Sequence, residues 1–448
     1  MALKTLHLTY LYNEQSGGVA TFYRALMQRA TETGRQMVLV IPGDHWAVEQ
    51  VSETVKIYRV EASRSLVGDR RYRVLLPHHF LFPNDTRFKQ ILRDERPDVV
   101  EACDKYSLFY LLGFYRMGWI DGTRGPATVA LTMERMDDNF GSYISRSKAA
   151  MAFCRWYMHD IYFRIPKYHI AISRYVSEEL KGAPTARQID KIRILPLGVD
   201  SNTFRPATHP EMARRMLREA LGLAESATVL LYAGRLSREK NIPLLMDSFR
   251  KLRVEMGADC HLALIGGGMM RDDLEKEARK GLQGRLHLMP HVQSRSVLAT
   301  MLAGADVFVH PNEREPFGIG PLEAMACGVP VVLPSEGGVV EYANEGNSWP
   351  VAPRPEAFAA AIQDALQRGP SRKAKTDEAR KTAVRHDWSA VTERYFAQYE
   401  AFHEMFQASP EPWVIPYRPR WWPEWRSRGW QPRQRQRELD PSDSTPVP

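Results

Sequence analysis

The chain has 448 residues, of which 44% are hydrophobic and 25% charged, and a formal net charge of +8. These values exclude a disordered chain and a single small core, so two soluble domains are expected. The mild positive excess points to phosphate-bearing or anionic partners and does not call for nucleic acid.

Short apolar runs alternate with helical patterns from the start. "LHLTYL", "MVLVIPG", "PDVVEAC", "PATVALT" and "YHIAIS" read as strands separated by enough chain for crossover helices, which predicts a parallel sheet. After "KIRILPLGVD" the pattern restarts with "TVLLYAG", "CHLALIGGG", "LHLMP", "DVFVHP" and "VPVVLP". The expected fold class is α/β, with two doubly wound units in tandem, residues 1–196 and 197–385. The helical stretch "WSAVTERYFAQYEAFHEMF", within 386–408, follows the second unit and is expected to pack back across both. The Pro-, Arg- and Trp-rich remainder, 409–448, is expected to be irregular, because its prolines interrupt any helix.

The four cysteines, Cys103, Cys154, Cys260 and Cys327, form no C-x-x-C pair and read as buried thiols rather than disulfides or a zinc site. "MALKTLHLTYLYNEQ" lacks the apolar core of a signal peptide, and no apolar run approaches the ~18 residues of a spanning helix. A cytoplasmic protein is expected.

In open α/β sheets the ligand crevice lies beyond the carboxyl ends of the strands. Gly17 and Gly18, after the first strand, let a ligand approach the backbone at a helix start; taken alone, they are only a tight turn. In "YAGRLSREK" the uncluttered Gly234 precedes Arg235 and Lys240, two cations able to neutralise a diphosphate or simply to face solvent. "DVFVHPNEREPFGIGPLEAMACG" reads as strand, turn and helix, with Pro321 in the first helical turn and Gly328 at its end. The amides of Phe317 to Gly320 then form an anion site at the helix N-terminus. Glu315 in the turn and Glu323 in the helix would repel a phosphate, so they are read as acceptors for sugar hydroxyls, one for a hexose and one for a ribose. Asp104 and Lys105, at another strand end, either face the acceptor or, for Asp104, cap the next helix. Gly266 to Gly268 lack the G-x-G-x-x-G spacing and read as a turn or a phosphate-side element.

"YAGRLSREKNIPLLMDSF" with "NEREPFGIGPLEAMACGVPVVLPSEGGVVEYA" resembles the retaining glycosyltransferases of family 4. The resemblance runs as a pattern through most of residues 1–405, including "SGGVATFYRAL", "HIAISRYVSEEL" and "ILPLGVDSNTFRP". It implies the GT-B fold, two Rossmann-like domains facing across a cleft, with residues 1–196 binding the acceptor and residues 197–385 the donor. It also implies that Glu315 holds donor-sugar hydroxyls, Glu323 the ribose, Arg235 and Lys240 the diphosphate, and Gly18 the phosphates from the opposite domain. Phe317, Gly318 and Ile319 would add backbone contacts, and Val292 would meet the nucleobase. The chemistry implied is leaving-group stabilisation by fixed cations and helix N–H groups, with no metal and no cofactor besides the GDP- or UDP-hexose donor. The chain has no D-x-D triplet of the kind that holds a diphosphate through a divalent ion.

One departure stands out. Relatives commonly carry a His after the strand corresponding to "PATVALT", whereas this chain has Glu134 and Arg135, followed by Asp137 and Asp138. Glu134 is therefore the expected contact to the donor sugar. "VGDRRYRVLLPHHFLFP", "SRSKAAMAFCRWYMHDIYFRIPKY" and the tail mix cations with aromatics, as interfacial segments do, or else pack as ordinary structure. The expected partners are a nucleotide sugar, a glycan or lipid acceptor and an anionic membrane surface, with no nucleic acid. Competing readings are a non-catalytic binder of nucleotide sugars or glycans, favoured by the missing His, and a nicotinamide-dependent oxidoreductase, disfavoured by the absent fingerprint.

Overall fold

The computed structural model describes residues 3–12, 17–64, 73–75, 86–116, 125–181, 191–256, 260–280, 282 and 284–408. The tail 409–448 and most of the basic segment 67–83 lie outside the described residues. Strands such as Ala127–Thr132 and Cys260–Ile265 are buried at every position. That pattern belongs to parallel sheets covered by helices on both faces.

The first sheet comprises β1 (Lys4–Leu8), β2 (Gln36–Gly43), β3 (Ala47–Gln50), β4 (Val55–Glu61), β7 (Val99–Ala102), β8 (Ala127–Thr132), β9 (Tyr168–Ala171) and β10 (Ile192–Ile194), with β5 (Ser63–Arg64) and β6 (Arg73–Val74) forming a separate ribbon. Its order is β10-β9-β8-β7-β1-β2-β4-β3, parallel except for the edge pair β3–β4. The second sheet contains β11 (Thr228–Ala233), β12 (Cys260–Ile265), β13 (Leu286–Met289), β14 (Val307–Val309), β15 (Val331–Pro334) and β16 (Trp349–Val351), all parallel in the order β13-β12-β11-β14-β15-β16. In each sheet the strand order reverses once, at β1/β7 and at β11/β14. Loops leaving these strand pairs diverge to opposite faces and open a crevice.

The last described helix, Trp388–Ala408, returns to the first sheet. Tyr395 packs on Phe22 with ring centroids 4.7 Å apart, and Phe402 stacks on Tyr168 at 4.3 Å. Tyr399 donates its hydroxyl hydrogen to the buried Glu101, which also accepts from Tyr23 Oη at 2.8 Å and pairs with His7 Nδ1 at 3.0 Å. Each oxygen of this buried side chain therefore has a donor, as polar groups in a core require. Arg29 and Arg35 fix the same helix through Glu393 at 3.0 and 2.6 Å. Where the chain passes between the sheets, Val199 exchanges backbone hydrogen bonds with His386 and Trp388. A Cβ on Gly198 would sit 2.8 Å from both the His386 carbonyl oxygen and the Trp388 ring, so the two passing segments need a glycine there.

Candidate active site

β14 delivers the chain into the loop His310–Gly318, which turns into the helix Ile319–Ala326 through Gly318 at φ +88°. A Cβ at Gly318 would lie 2.9 Å from Val339 Cγ1 and 3.2 Å from Glu315 Cγ, so the left-handed turn and the carboxylate beside it exclude a larger residue. Glu315 is gripped from three sides. Lys240 Nζ is 2.8 and 3.1 Å from its two oxygens, Asn312 Nδ2 donates at 2.9 Å, and His310 Nε2 lies 3.3 Å away without hydrogen-bond alignment. Burial opposes ionisation of Glu315, but Lys240 and His310 override it and hold the carboxyl well below the usual carboxylate range. The N–H groups of Phe317, Gly318 and Ile319 have no backbone acceptor among the described residues, as expected for a helix start.

Arg235 leaves β11 next to Gly234, where a Cβ would press to 2.7 Å from Tyr232 Oη. Its guanidinium donates to Glu239 Oε1 at 3.1 Å and is half exposed. Burial raises the Glu239 pKa, and the nearby Glu315 and Glu134 raise it further against Lys240. Two of the three consecutive glycines are required by packing, because a Cβ on Gly266 would fall 2.0 Å from the Gly234 carbonyl oxygen, and one on Gly268 2.3 Å from that of Leu236. This backbone-on-backbone contact ties the segment to the chain that leaves β11.

Glu323 lies apart from Glu315. Its Oε1 accepts from Arg295 Nη2 at 3.1 Å, and that guanidinium rests 4.8 Å over the Phe204 ring. Burial pushes the Glu323 carboxyl up to about 7, partly countered by Arg295. Val292, half-buried, follows β13 at the same end of the sheet.

The first sheet supplies the opposite wall. Gly18 opens the helix Gly18–Thr33 and approaches Ile319 so closely that a Cβ would touch Ile319 Cδ1 at 3.4 Å, while a Cβ on Gly17 would meet nothing within 4 Å. Glu134, just beyond β8, is pinned through its backbone carbonyl by the Lys105 ammonium. Burial is the main cause that raises the pKa values of Tyr10, Tyr106 and Glu239, and the Glu134 carboxylate adds to each; Glu239 belongs to the other domain. Asp104 and Lys105 serve the protein itself. Asp104 caps the following turn by accepting from the amides of Tyr106 at 2.7 Å and Ser107 at 2.9 Å, and Lys105 also pairs with Glu179 at 3.4 Å. Both are buried, which corrects the acceptor-facing expectation in favour of the cap. Asp137 pairs with Arg135 at 2.6 Å, and Asp138 faces Arg314 of the second domain at 3.7 Å. Among the described residues, no group of three or more His, Cys, Asp or Glu side chains is positioned to hold a metal ion.

The model for glycosyl transferases group 1 matches residues 213–382, and that for glycosyltransferase family 4 matches residues 16–203. The chain belongs to the family 4, group 1 glycosyltransferases. This glycosyltransferase is 26% identical over 367 residues to a GDP-mannose-dependent alpha-(1-6)-phosphatidylinositol dimannoside mannosyltransferase of Mycobacterium tuberculosis, covering 82% of this chain and 88% of that one. A D-inositol 3-phosphate glycosyltransferase of Xylanimonas cellulosilytica is 35% identical over 176 residues, 38% of this chain and 41% of the relative. Sucrose-phosphate synthase from Thermosynechococcus elongatus superposes with a TM-score of 0.68 at 20% identity, covering 91% of this chain and 100% of the other. The fold is GT-B, with Gly18 of one domain set against Ile319 of the other.

Sequence reasoning missed three side chains of the glycosyltransferase that condition the two glutamates: His310 and Asn312 beside Glu315, and Arg295 on Glu323. The first two follow β14 directly, so their place at a strand's carboxyl end was an available signal. Arg295 carried none, because only the sheet brings it to Glu323.

Proposed function

We propose that this enzyme transfers a hexose, mannose or glucose, from a nucleotide-diphosphate sugar to a hydroxyl acceptor, with retention at the anomeric carbon and without a metal ion. One observation carries the reading. Lys240 and Glu315 are locked together beside the unpaired amides of Phe317, Gly318 and Ile319, and Gly18 of the other domain faces Ile319 at contact distance. The amides and Lys240, with Arg235, offer positive charge where a diphosphate departs, and Glu315 offers an ionised acceptor for sugar hydroxyls. As the bond from the anomeric carbon to phosphate breaks, negative charge gathers on the diphosphate and positive character on the ring; the acceptor hydroxyl oxygen bonds to that carbon on the same face and gives its proton to the departing diphosphate oxygen. Glu134 takes the contact to the sugar that a His makes in relatives, and Glu323 with Val292 receives the ribose and base. The mannosyltransferase relative makes GDP-mannose the first donor to try.

A lipid-linked acceptor at an anionic membrane is supported by the helix Lys148–Trp156. Phe153 and Trp156 on it are exposed at 44% and 49%, beside the exposed cations Lys148 and Arg155, and Ile144 and Arg146, in the segment that precedes the helix, are exposed too. Aromatic and basic side chains on one short helix suit the headgroup level. No helix among the described residues is long and apolar enough to cross a membrane.

The test is incubation with labelled GDP-mannose and UDP-glucose in the presence of EDTA, with the anomeric configuration of the product read by NMR. Transfer or slow release of free sugar with the configuration kept is the expected result. Tight binding without turnover, inversion, or complete loss of rate in EDTA would each overturn the corresponding part.

A further inference from the structure

The donor-type loop Glu315–Gly318 has three carbonyl groups held by hydrogen bonds, and one of the three donors comes from the other domain. Gly338 N–H donates to the Glu315 carbonyl at 2.6 Å, and Tyr342 Oη to that of Gly318 at 2.6 Å, both from within the second domain. The Pro316 carbonyl accepts from Ser173 Oγ at 2.6 Å. Ser173 lies just beyond β9 in the first domain and is fully buried. Its hydroxyl oxygen also accepts from Val176 N–H at 3.1 Å, capping the helix Arg174–Lys181. That second bond fixes the oxygen, so its hydrogen is directed at Pro316. Next to it, Arg174 N–H donates to Glu341 Oε2 at 2.9 Å, anchoring the same helix start to the second domain.

In a trans peptide the C=O and the following N–H point to opposite sides. Holding the Pro316 carbonyl toward Ser173 therefore turns the Phe317 N–H the other way, away from the domain contact. No partner inside the second domain replaces this hold among the described residues. Gly338 already passes so close that a Cβ on it would lie 1.9 Å from the Pro316 oxygen.

We infer that Ser173 is a positioning residue for the donor sugar: its hydroxyl orients the Pro316–Phe317 peptide, so that the Phe317 amide meets the hexose only when the two domains are apposed. The inference rests on the proposed donor reading. It assigns the first domain a share in donor recognition through a residue that touches no ligand.

The experiment uses the full chain with Ser173→Ala and Ser173→Thr, titrated calorimetrically with GDP, GDP-mannose, UDP and UDP-glucose. In Ser173→Ala, affinity for the nucleoside diphosphate should stay within about twofold of the parent. The extra affinity contributed by the hexose should fall by on the order of fivefold, the size of one hydrogen bond. Threonine, which can both cap and donate, should restore it; if its methyl prevents folding, Ser173→Cys with its weak donor should fall between. In the unliganded protein, hydrogen exchange at the Phe317 amide should accelerate in Ser173→Ala and not in the hydroxyl-bearing variant. Equal loss for the diphosphate and the nucleotide sugar, or an unchanged hexose increment with unchanged Phe317 exchange, overturns the inference. If the parent protein binds none of the four ligands, the proposed function fails, and the exchange measurement still decides the role of Ser173.

Discussion

Lys240 Nζ reaches both oxygens of Glu315 from a turn 75 residues earlier in the chain, at 2.8 and 3.1 Å. The two meet because β11 and β14 are neighbours in the sheet, with Leu231 opposite Phe308. Glu315 therefore neutralises Lys240, and on the proposed function a diphosphate would share that cation with it.

Glu315→Ala should reduce transfer by on the order of 10²-fold, the scale of removing one group that stabilises developing charge. Lys240→Ala should weaken GDP binding, and the double variant should lose less than the sum of the singles, since the two act as a unit. Initial rates with labelled donor and calorimetric titration measure both; additive losses would show that they work independently. Because the Glu315 pKa is lowered, its contribution to stability is present above the ordinary value of 4.5 and disappears only as pH falls through the lowered folded value. Acid unfolding should accordingly begin at higher pH in Lys240→Ala than in the parent.

Glu323 has the opposite sign. Its carboxyl is pushed up to about 7 from an ordinary 4.5, so folding favours the neutral form. Below 4.5 the folded and unfolded states are both protonated. Between that value and about 7 the unfolded state loses its proton first, and stability falls as pH rises. Glu323→Gln should therefore match the parent under acid conditions and exceed its stability at about pH 8, as read by chemical denaturation. If the ribose hydroxyls donate to Glu323, GDP affinity of the parent should rise through neutrality, whereas the Gln variant should be weaker and flatter. Parallel profiles would remove Glu323 from the ribose site.

Two glycines separate backbone need from ligand need. Gly17 has open space where a Cβ would stand, so Gly17→Ala should meet no steric clash with the described residues. If a donor phosphate occupies that space, the same change should raise KM for the donor. Gly318→Ala should cost about 2–3 kcal/mol, from its left-handed backbone and the crowding against Val339, and should abolish transfer as Glu315 is displaced. Thermal unfolding beside donor kinetics distinguishes the two; a large loss of stability in Gly17→Ala would contradict the open space.

Replacing Phe153 and Trp156 with Glu should prevent sedimentation with phosphatidylglycerol vesicles, because each exposed apolar side chain contributes about 1.5–3 kcal/mol when taken out of water. GDP affinity should be unchanged, since neither residue belongs to the cleft. Undiminished sedimentation of the double variant would assign membrane contact elsewhere.

What the sequence made legible follows from burial. β8 and β12 are covered on both faces and so appear as unbroken apolar runs. The edge strand β3 is mostly exposed and carries Glu49 and Gln50, and β5 and β6 are two residues each; none has a pattern to detect. Within the candidate site, Gly318 and Glu315 stood out because a glycine turn before a helix start is a local feature. The grip of Lys240 on Glu315, of Arg295 on Glu323 and of Ser173 on Pro316 depends on which strands are neighbours and how the domains meet, and no spacing along the chain encodes that. Asp104 could be read either way from sequence because a cap and a ligand contact use the same carboxylate, and only its hydrogen bonds decide.

The helix that reaches from Trp388 to Ala408 has a consequence for biogenesis. Phe22 and the carboxyl group of Glu101, encoded near the beginning, find their cover in Tyr395 and Tyr399, encoded near the end. The amino-terminal half can therefore not finish its interior while the ribosome is still making the other half. Domains that fold as they emerge normally do so one after another. Here the first must wait with an unsealed flank, and a stop codon before position 388 would strand it in that state even though its own sheet is fully specified.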